Sequence, residues 1–333
     1  MSTLPSRVPR AVRIVTSDRV PAGRQSVLLV AHGTRDPDGA AEARAFADFL
    51  AARIGGDLPL TLCFLELTDP PILDTINALA RDGVGELIVL PLMLFGAGHV
   101  KNDVPAALAL ARSRLPELRV RYGAPLGVQP EMLAVIDERL AAVEQDAPPV
   151  PAERTAILLV ERGSTDPDAN AEVFQLGRLL WEGRGYGWVE ACFVGITRPN
   201  LAEGLARCAA LGAERIIVLP YFLFTGVLVR RISQTVAEIS RQYPGVDVRV
   251  AGHLGAHPRL LDLAARRIAE ATQGEVKMSC DRCIYRVPLI GFGHRVGQPQ
   301  RSDRAHGLRE GNGPHHGHQH RTGAADGPSA PLP

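Results

Sequence analysis

An internal repeat constrains the fold of this chain more than any other feature of its sequence. Four blocks recur in the same order in the two halves of the 333 residues. The first pair is SVLLVAHGTRDPD, residues 26–38, and TAILLVERGSTDPD, residues 155–168. The others are LCFLELTDP with ACFVGITRP, GELIVLPLMLFG with AERIIVLPYFLFTG, and LGVQP with LGAHP. Matched blocks in one order predict two homologous lobes, each a complete folding pattern.

The repeat divides the chain into five segments. The first lobe is predicted at residues 26–146 and the second at 155–274, joined by a linker at 147–154 that begins APPVP. Residues 1–25 are predicted to be a flexible N-terminal tail. Residues 275–333 form a C-terminal tail, which becomes rich in Gly, His, Arg and Pro beyond Gly291 and is predicted to be disordered.

Each lobe alternates short apolar runs with helical patterns, which predicts an α/β fold. The strands predicted in the first lobe are Val27–Ala31, Leu60–Leu65, Glu86–Leu94 and Arg119–Tyr122. The helices predicted between and after them are Ala40–Ile54, Pro71–Arg81, Val104–Leu115 and Glu131–Val143. Continuous apolar strands are typical of a parallel sheet that is buried on both faces. We therefore predict two doubly wound parallel sheets, each with strand order 2-1-3-4.

Composition excludes several classes of partner. Lys and Arg number 37 against 36 Asp and Glu, so no global basic field attracts nucleic acid or an anionic membrane. The apolar runs are shorter than the ~20 residues that span a bilayer. Five cysteines in 333 residues do not make a disulfide scaffold, which favours a reducing, cytoplasmic location. The chain has neither GxxxxGK(S/T) nor a GxGxxG after its first strand, so we expect no nucleotide cofactor.

The predicted topology indicates where ligands bind. In an open parallel sheet they bind beyond the carboxyl ends of the strands, where the strand order reverses, here between strands 1 and 3. His32 follows strand 1 and His99 follows strand 3. One histidine there would be read as structural, but two favour a divalent metal site, because neutral imidazole is both a metal ligand and a base. Glu66, at the end of strand 2, either adds a carboxylate or is a solvated strand end. Asp103 either orients His99 or caps the next helix, and the cap is the favoured interpretation.

The second lobe lacks these groups. The positions equivalent to His32, Glu66 and His99 hold Arg162, Gly195 and Leu228. The second lobe instead carries arginines near its strand ends, of a kind that suits carboxylates: Arg162, Arg198, Arg230 and Arg231. Any single one of them is explained as well by an ordinary surface position.

The C-terminal tail carries two further motifs. Cys280 and Cys283 form a CxxC that could hold zinc or an iron–sulfur cluster, or act as a redox pair, although it supplies only half of a four-thiolate set. The other cysteines, Cys63, Cys192 and Cys208, are predicted to be core residues. The segment HHGHQH at residues 315–320 either collects divalent metals weakly or is a passive polar tail.

Three segments of the first lobe, VAHGTRDPDG, FLELTDP and PLMLFGAGHVKNDVP, resemble the sirohydrochlorin chelatases. These class II chelatases insert cobalt or iron into sirohydrochlorin. The resemblance covers residues 26–272 and implies that His32 and His99 are metal ligands, with His32 also a proton acceptor. It also implies a loop that lines the tetrapyrrole site: Leu94, Phe95, Gly96, Ala97 and Gly98. Glu66 is expected to take part in catalysis and Arg162 to meet carboxylates of the substrate, while the second lobe is expected to be degenerate.

The tandem repeat, MSCDRC and HHGHQH resemble the long form of this family, which implies cobalt and the branch that leads to cobalamin. The resemblance of MSCDRC, together with the ligand count, predicts a [4Fe-4S] cluster at Cys280 and Cys283, shared between the chains of a homodimer because each chain offers two suitable thiolates. The other interpretation of this pair is a reduced, exposed dithiol without a cofactor. Two alternatives remain open. One is iron insertion for sirohaem, and the other is a metal-binding protein or metallochaperone without catalysis.

Overall fold

The computed structural model describes residues 23–277, Cys283, Tyr285 and 293–298. Strands and helices alternate along both lobes. The first lobe contains β1 (Arg24–Ala31), α1 (Pro37–Ile54), β2 (Leu60–Phe64), α2 (Ile72–Arg81), β3 (Val84–Pro91), α3 (Val104–Arg114), β4 (Arg119–Tyr122) and α4 (Pro130–Gln145). The second contains β5 (Thr155–Glu161), α5 (Pro167–Trp181), β6 (Trp188–Phe193), α6 (Leu201–Ala210), β7 (Arg215–Pro220), α7 (Val227–Ile239), β8 (Asp247–Val250) and α8 (Pro258–Gln273).

Each lobe has one parallel sheet of four strands, and the sheets run β2-β1-β3-β4 and β6-β5-β7-β8. This confirms the predicted strand order in both lobes. Even the register repeats: Val30 is paired with Cys63 and Pro91 in the first sheet. The equivalent Val160 is paired with Cys192 and Pro220 in the second.

The central strand β1 shows why its sequence is continuously apolar. Val27 and Leu29 point into a core shared by both lobes, to which α1, α4, α5 and α8 contribute. Leu28 and Val30 point to the opposite face and pack with residues of α2 and α3. Both faces of the strand are therefore covered by helices, as expected for a doubly wound sheet.

Several predicted boundaries differ from the observed ones by one to three residues. Strand β3 ends at Pro91 instead of Leu94, because the next segment turns toward the loop that follows β4. There, Met93 and Leu94 accept hydrogen bonds from Leu126 N and Gly127 N at 3.0 and 2.8 Å. Strand β2 ends at Phe64. Helix α1 begins three residues earlier than predicted, at Pro37, because Asp36 caps it by accepting a hydrogen bond from Asp38 N.

The three cysteines predicted to be core residues, Cys63, Cys192 and Cys208, are fully buried. Cys283 is partly exposed, whereas Cys280 and the His-rich segment lie outside the described residues. The same holds for residues 1–22 of the N-terminal tail and for 299–333 of the C-terminal tail. In the part of the chain that the structure describes, no helix combines the length and the apolar character needed to cross a bilayer.

Candidate functional site

Side chains from three neighbouring strand ends converge at the carboxyl edge of the first sheet. His32 directly follows β1, and Glu66 lies two residues beyond β2. His99 opens a single π-helical turn, His99–Asp103, that leads into α3. One ligand atom from each of the three residues lies within 4.8 Å of the other two. The sequence-based expectation that these side chains meet is therefore met, and the cluster can hold a divalent ion.

The His32 ring is oriented by its own backbone neighbour. Its Nδ1 lies 2.9 Å from the Gly33 carbonyl oxygen, which can only accept, so Nδ1 carries the proton and donates it. The lone pair is consequently on Nε2. That atom lies 3.5 Å from Glu66 Oε1 and faces the interior of the cluster. His32 is thus arranged to ligate a metal through Nε2.

The His99 ring is oriented by Asp103. The distance from His99 Nδ1 to Asp103 Oδ2 is 2.5 Å, and Asn102 donates to the other carboxylate oxygen at 2.8 Å. His99 would therefore bind a metal through Nε2, with a carboxylate behind its ring. The two imidazoles are T-shaped, with ring centroids 4.7 Å apart.

The favoured interpretation of Asp103 as a helix cap is wrong. Its backbone is helical, at φ −70° and ψ −50°, and its side chain makes no capping hydrogen bond. A capping residue needs extended backbone. The π-helical turn instead continues into α3 without a break, so the Asp103 side chain reaches back four residues to His99.

Gly33 is a functional position that the sequence did not reveal. Its φ is +93°, and a Cβ at this position would lie 1.7 Å from the Glu66 carbonyl oxygen. Glu66 N also donates to the His32 carbonyl at 3.1 Å. Two residues further along the same two loops, Thr68 Oγ1 accepts a hydrogen bond from Thr34 N at 2.9 Å and donates one to the Thr34 carbonyl at 2.8 Å. The loops that carry His32 and Glu66 are therefore fastened directly to each other.

The predicted tetrapyrrole loop, residues 94–98, lies between the site and the second lobe. Phe95 is buried and stacks on Tyr221 of the second lobe, with centroids 5.4 Å apart. Gly96 N donates to Glu172 of the second lobe at 3.3 Å, while Leu94 and Ala97 pack against the shared core. A Cβ at Gly98 would meet nothing within 4 Å. The loop is therefore held by contacts with the second lobe and the shared core, and it leaves open space beside His99.

Arg162 is the one predicted residue of the second lobe that reaches this site. Its Nη1 lies 3.2 Å from His32 Nε2, although the two residues are 130 positions apart. The other strand-end arginines behave as surface residues or as contacts between the lobes. Arg198 pairs with Glu203, and Arg230 pairs with Asp36 and Asp38.

Electrostatics keep His32 neutral. The pKa of His32 is lowered to about 4, chiefly by burial and then by the charges of His99 and Arg162, while the Gly33 carbonyl and Glu66 act in the opposite direction. A histidine with this pKa carries a lone pair at neutral pH. The site therefore offers an unprotonated imidazole that can ligate a metal or accept a proton.

A family model described as CbiX matches the chain twice, over residues 26–143 and 156–271. The chain is 39% identical over 266 residues to the sirohydrochlorin cobaltochelatase of Priestia megaterium, covering 80% of this chain and 86% of that protein. It is 31% identical over 264 residues to the sirohydrochlorin ferrochelatase of Bacillus subtilis (strain 168), covering 79% and 98%. Both similarities extend through the two lobes.

Solved structures give the same result. The chain is similar to the sirohydrochlorin chelatase SirB from Bacillus subtilis subspecies spizizenii in complex with cobalt. The TM-score is 0.64 at 29% identity, over 75% of this chain and 96% of that one. SirB from Bacillus subtilis with Fe3+ matches with a TM-score of 0.65 at 29% identity, over 76% and 99%.

Proposed function

The chain belongs to the CbiX family, and we propose that this sirohydrochlorin chelatase inserts cobalt into its tetrapyrrole in cobalamin biosynthesis. The single observation that carries the proposal is the cluster of His32, Glu66 and His99 at the strand-order reversal of the first sheet. We assign catalysis to the first lobe, residues 26–146. The second lobe, residues 155–274, has Arg162, Gly195 and Leu228 at the matching positions and serves as a degenerate partner.

The chemistry of insertion needs groups of this kind. As the divalent metal enters the macrocycle, two pyrrole N–H protons leave, and the resulting dianion binds the metal through its four ring nitrogens. His32 and His99 deliver the metal through Nε2, since imidazole binds such ions without the tenacity of thiolates. Neutral His32 accepts one proton once it releases the metal, and the Glu66 carboxylate accepts the other. The open space beside Gly98 accommodates the flat macrocycle, with residues 94–98 along its edge.

Cobalt is proposed over iron because the similarity to the Priestia megaterium cobaltochelatase, at 39% identity, exceeds that to the ferrochelatases of the same organism and of Bacillus subtilis, at 32% and 31%. Iron insertion for sirohaem is the second candidate. The similarity to SirB determined with Fe3+ supports it, because a site of two imidazoles and a carboxylate suits either ion.

The test is steady-state metal insertion, followed by the absorption change of sirohydrochlorin under anaerobic conditions, with Co2+ and Fe2+ side by side. We expect faster insertion of cobalt. His32→Ala and His99→Ala should each reduce turnover at least a hundredfold, about the effect of removing a general base. His294→Ala, which removes an exposed histidine, serves as the matched control. A wild-type protein that binds Co2+ but never transfers it would instead be a metal-binding protein or metallochaperone.

We also propose that Cys280 and Cys283 hold half of a [4Fe-4S] cluster, completed by the same pair from a second chain. Cys63, Cys192 and Cys208 are fully buried in the lobes, so they offer no further ligands, and Cys283 is partly exposed. Anaerobic purification tests this. A brown dimer whose colour bleaches in air and is lost in Cys280→Ser/Cys283→Ser supports the proposal. A colourless protein without iron or labile sulfide after reconstitution contradicts it, and a cluster in a monomer contradicts the sharing.

A further inference from the structure

We propose that Arg162 blocks the metal site through its contact with His32, and that the bound tetrapyrrole draws Arg162 away. The two substrates, metal and tetrapyrrole, would then bind cooperatively. The inference rests on the proposed function and deepens it. In this structure the Arg162 guanidinium donates to His32 Nε2 at 3.2 Å, the nitrogen through which His32 would ligate the metal. When the tetrapyrrole arrives, one of its carboxylates takes over the guanidinium, and Nε2 becomes available to the ion.

The first step of the argument concerns the lone pair. His32 has one unprotonated nitrogen, because Nδ1 donates to the Gly33 carbonyl at 2.9 Å. Its lone pair can accept an N–H from Arg162 or bind a metal ion, but it cannot do both. A metal that binds His32 through Nε2 must therefore displace Arg162 from that contact.

The second step concerns charge. A guanidinium is always protonated, so a divalent ion on His32 would lie beside a fixed positive charge. Like charges a few ångströms apart repel each other, and this repulsion is screened less at a partly buried site than in bulk water. Arg162 thus opposes metal binding both by occupying Nε2 and by repulsion. Glu66, 3.5 Å from the same nitrogen, acts in the opposite direction.

The third step is that Arg162 is able to move. Its residue is exposed, and its backbone lies next to Gly163, whose N–H donates to Glu161 Oε2 at 2.6 Å. The side chain can therefore swing on a backbone that stays fixed. Its hydrogen bond to a neutral imidazole is the weaker type, whereas a guanidinium–carboxylate pair is charge-assisted and can be bidentate. A polycarboxylate substrate gives Arg162 a better partner than His32.

Thermodynamic linkage relates the affinity for metal to the affinity for tetrapyrrole. If the tetrapyrrole draws Arg162 away from Nε2, the affinity for metal rises when the tetrapyrrole is bound, and the reverse effect has the same magnitude. Removal of the guanidinium should uncouple the binding of metal from the binding of tetrapyrrole. Metal should then bind more tightly by itself, and tetrapyrrole more weakly by itself. A residue that served only to bind the tetrapyrrole would change the second affinity and leave the first unaltered.

The experiment is a pair of anaerobic titrations on the full chain, Co2+ alone by its visible absorption and metal-free sirohydrochlorin alone by fluorescence. Arg162→Ala is compared with wild type, with Arg162→Lys, and with the matched control Arg207→Ala. Arg207 lies on α6, its side chain is half-exposed, and its contact with Glu190 is long, at 4.0 Å. Thermal unfolding of all four proteins shows whether the fold is retained.

We expect Arg162→Ala to bind Co2+ roughly 5- to 100-fold more tightly than wild type, the usual range of coupling between two sites, and to bind sirohydrochlorin more weakly. Arg162→Lys, which keeps the charge, should lie between them, and Arg207→Ala should match wild type. A folded Arg162→Ala with unchanged or weaker Co2+ affinity contradicts the proposal that Arg162 blocks the metal site. Tighter Co2+ binding with unchanged sirohydrochlorin affinity overturns the coupling. Either result leaves the chelatase assignment intact, since that depends on whether the wild-type protein inserts metal.

Discussion

Asp103 Oδ2 lies 2.5 Å from His99 Nδ1, and the carboxylate is itself held by Asn102 at 2.8 Å. The Asp103 side chain is nearly buried. Because the carboxylate fixes which nitrogen of His99 is protonated, it directs the Nε2 lone pair toward His32 and Glu66. A residue that the sequence presented as a helix cap therefore belongs to the support of the metal site.

Replacing Asp103 tests this support. We expect Asp103→Ala to weaken Co2+ binding by roughly 10- to 100-fold, the usual effect of removing the partner of a ligating histidine. Asp103→Asn should lose less, because the amide oxygen still accepts a hydrogen bond from Nδ1. Titration of Co2+ against each variant gives the comparison, with Asp48→Ala on the exposed side of α1 as the control. Wild-type affinity in Asp103→Ala would show that the carboxylate does not orient the ligand.

The sequence predicted the strand order and the meeting of His32 with His99, because both follow from patterns local to one repeat. Hydrophobic runs mark the strands, and the topology fixes where strand ends converge. Asp103 was misassigned because nothing in its local sequence distinguishes a π-helical turn from a capped helix start. The contact between Arg162 and His32 could not be predicted from the sequence for a different reason. It depends on how the two lobes pack, and no pattern within one repeat encodes that arrangement.

Gly33 gives a prediction about the geometry of the site. Gly33→Ala should abolish measurable Co2+ binding and reduce stability, because its Cβ would overlap the Glu66 carbonyl oxygen at 1.7 Å. Gly55→Ala is the matched control. Gly55 has nearly the same φ, +87° against +93°, but a Cβ there meets nothing within 4 Å. Both variants carry the strain of a positive φ, about 1–3 kcal/mol. If both lose equal stability and both retain metal binding, the close approach of the two loops is not what requires glycine.

The contacts between the lobes give a second matched pair. Lys101 Nζ of the first lobe lies 2.8 Å from Asp166 and 3.0 Å from Asp168 of the second. At the equivalent places, Arg230 of the second lobe pairs with Asp36 and Asp38 of the first. Lys101 is 11% exposed and its two partners 3% each, whereas Arg230 is 50% exposed and its partners Asp36 and Asp38 are 0% and 76% exposed. The contact of Lys101 is therefore buried throughout, whereas that of Arg230 joins a half-exposed cation to one buried and one exposed carboxylate.

Lys101→Met should lower the free energy of unfolding by roughly 3–5 kcal/mol, because it leaves two buried carboxylates without their cation. Arg230→Met should cost less than Lys101→Met, because it removes the cation from one buried carboxylate, Asp36, instead of two, while Asp38 is exposed to water. Urea unfolding at neutral pH measures both. Equal losses in the two variants would mean that burial does not decide the value of these pairs.

Glu86 gives the pH dependence. It is 4% exposed, and it accepts hydrogen bonds from Arg121 Nε at 2.6 Å and from Gln25 at 2.7 Å. The hydrogen bond from Arg121 lowers the pKa of Glu86, burial opposes this shift, and the hydrogen bond from Gln25 adds to it. A carboxyl whose pKa is lower in the folded than in the unfolded chain stabilises the fold above its unfolded pKa, about 4.3. That contribution disappears as the pH falls through the folded pKa.

We therefore expect Arg121→Ala to be less stable than wild type at pH 7, and the difference to shrink as the pH falls through the lowered pKa of folded Glu86, below which this carboxyl is protonated in both proteins. Chemical unfolding at intervals from pH 7 to pH 3 measures the difference. Arg119→Ala is the control, because Arg119 is exposed and has the smallest of the recorded effects on the pKa of Glu86. The stability deficit of Arg119→Ala should therefore change much less over this pH range than that of Arg121→Ala. A deficit in Arg121→Ala that stays constant from pH 7 to pH 3 would show that Arg121 stabilises the fold through its other contacts, such as the hydrogen bond to the Thr272 carbonyl at 2.8 Å, and that its charge on Glu86 contributes nothing.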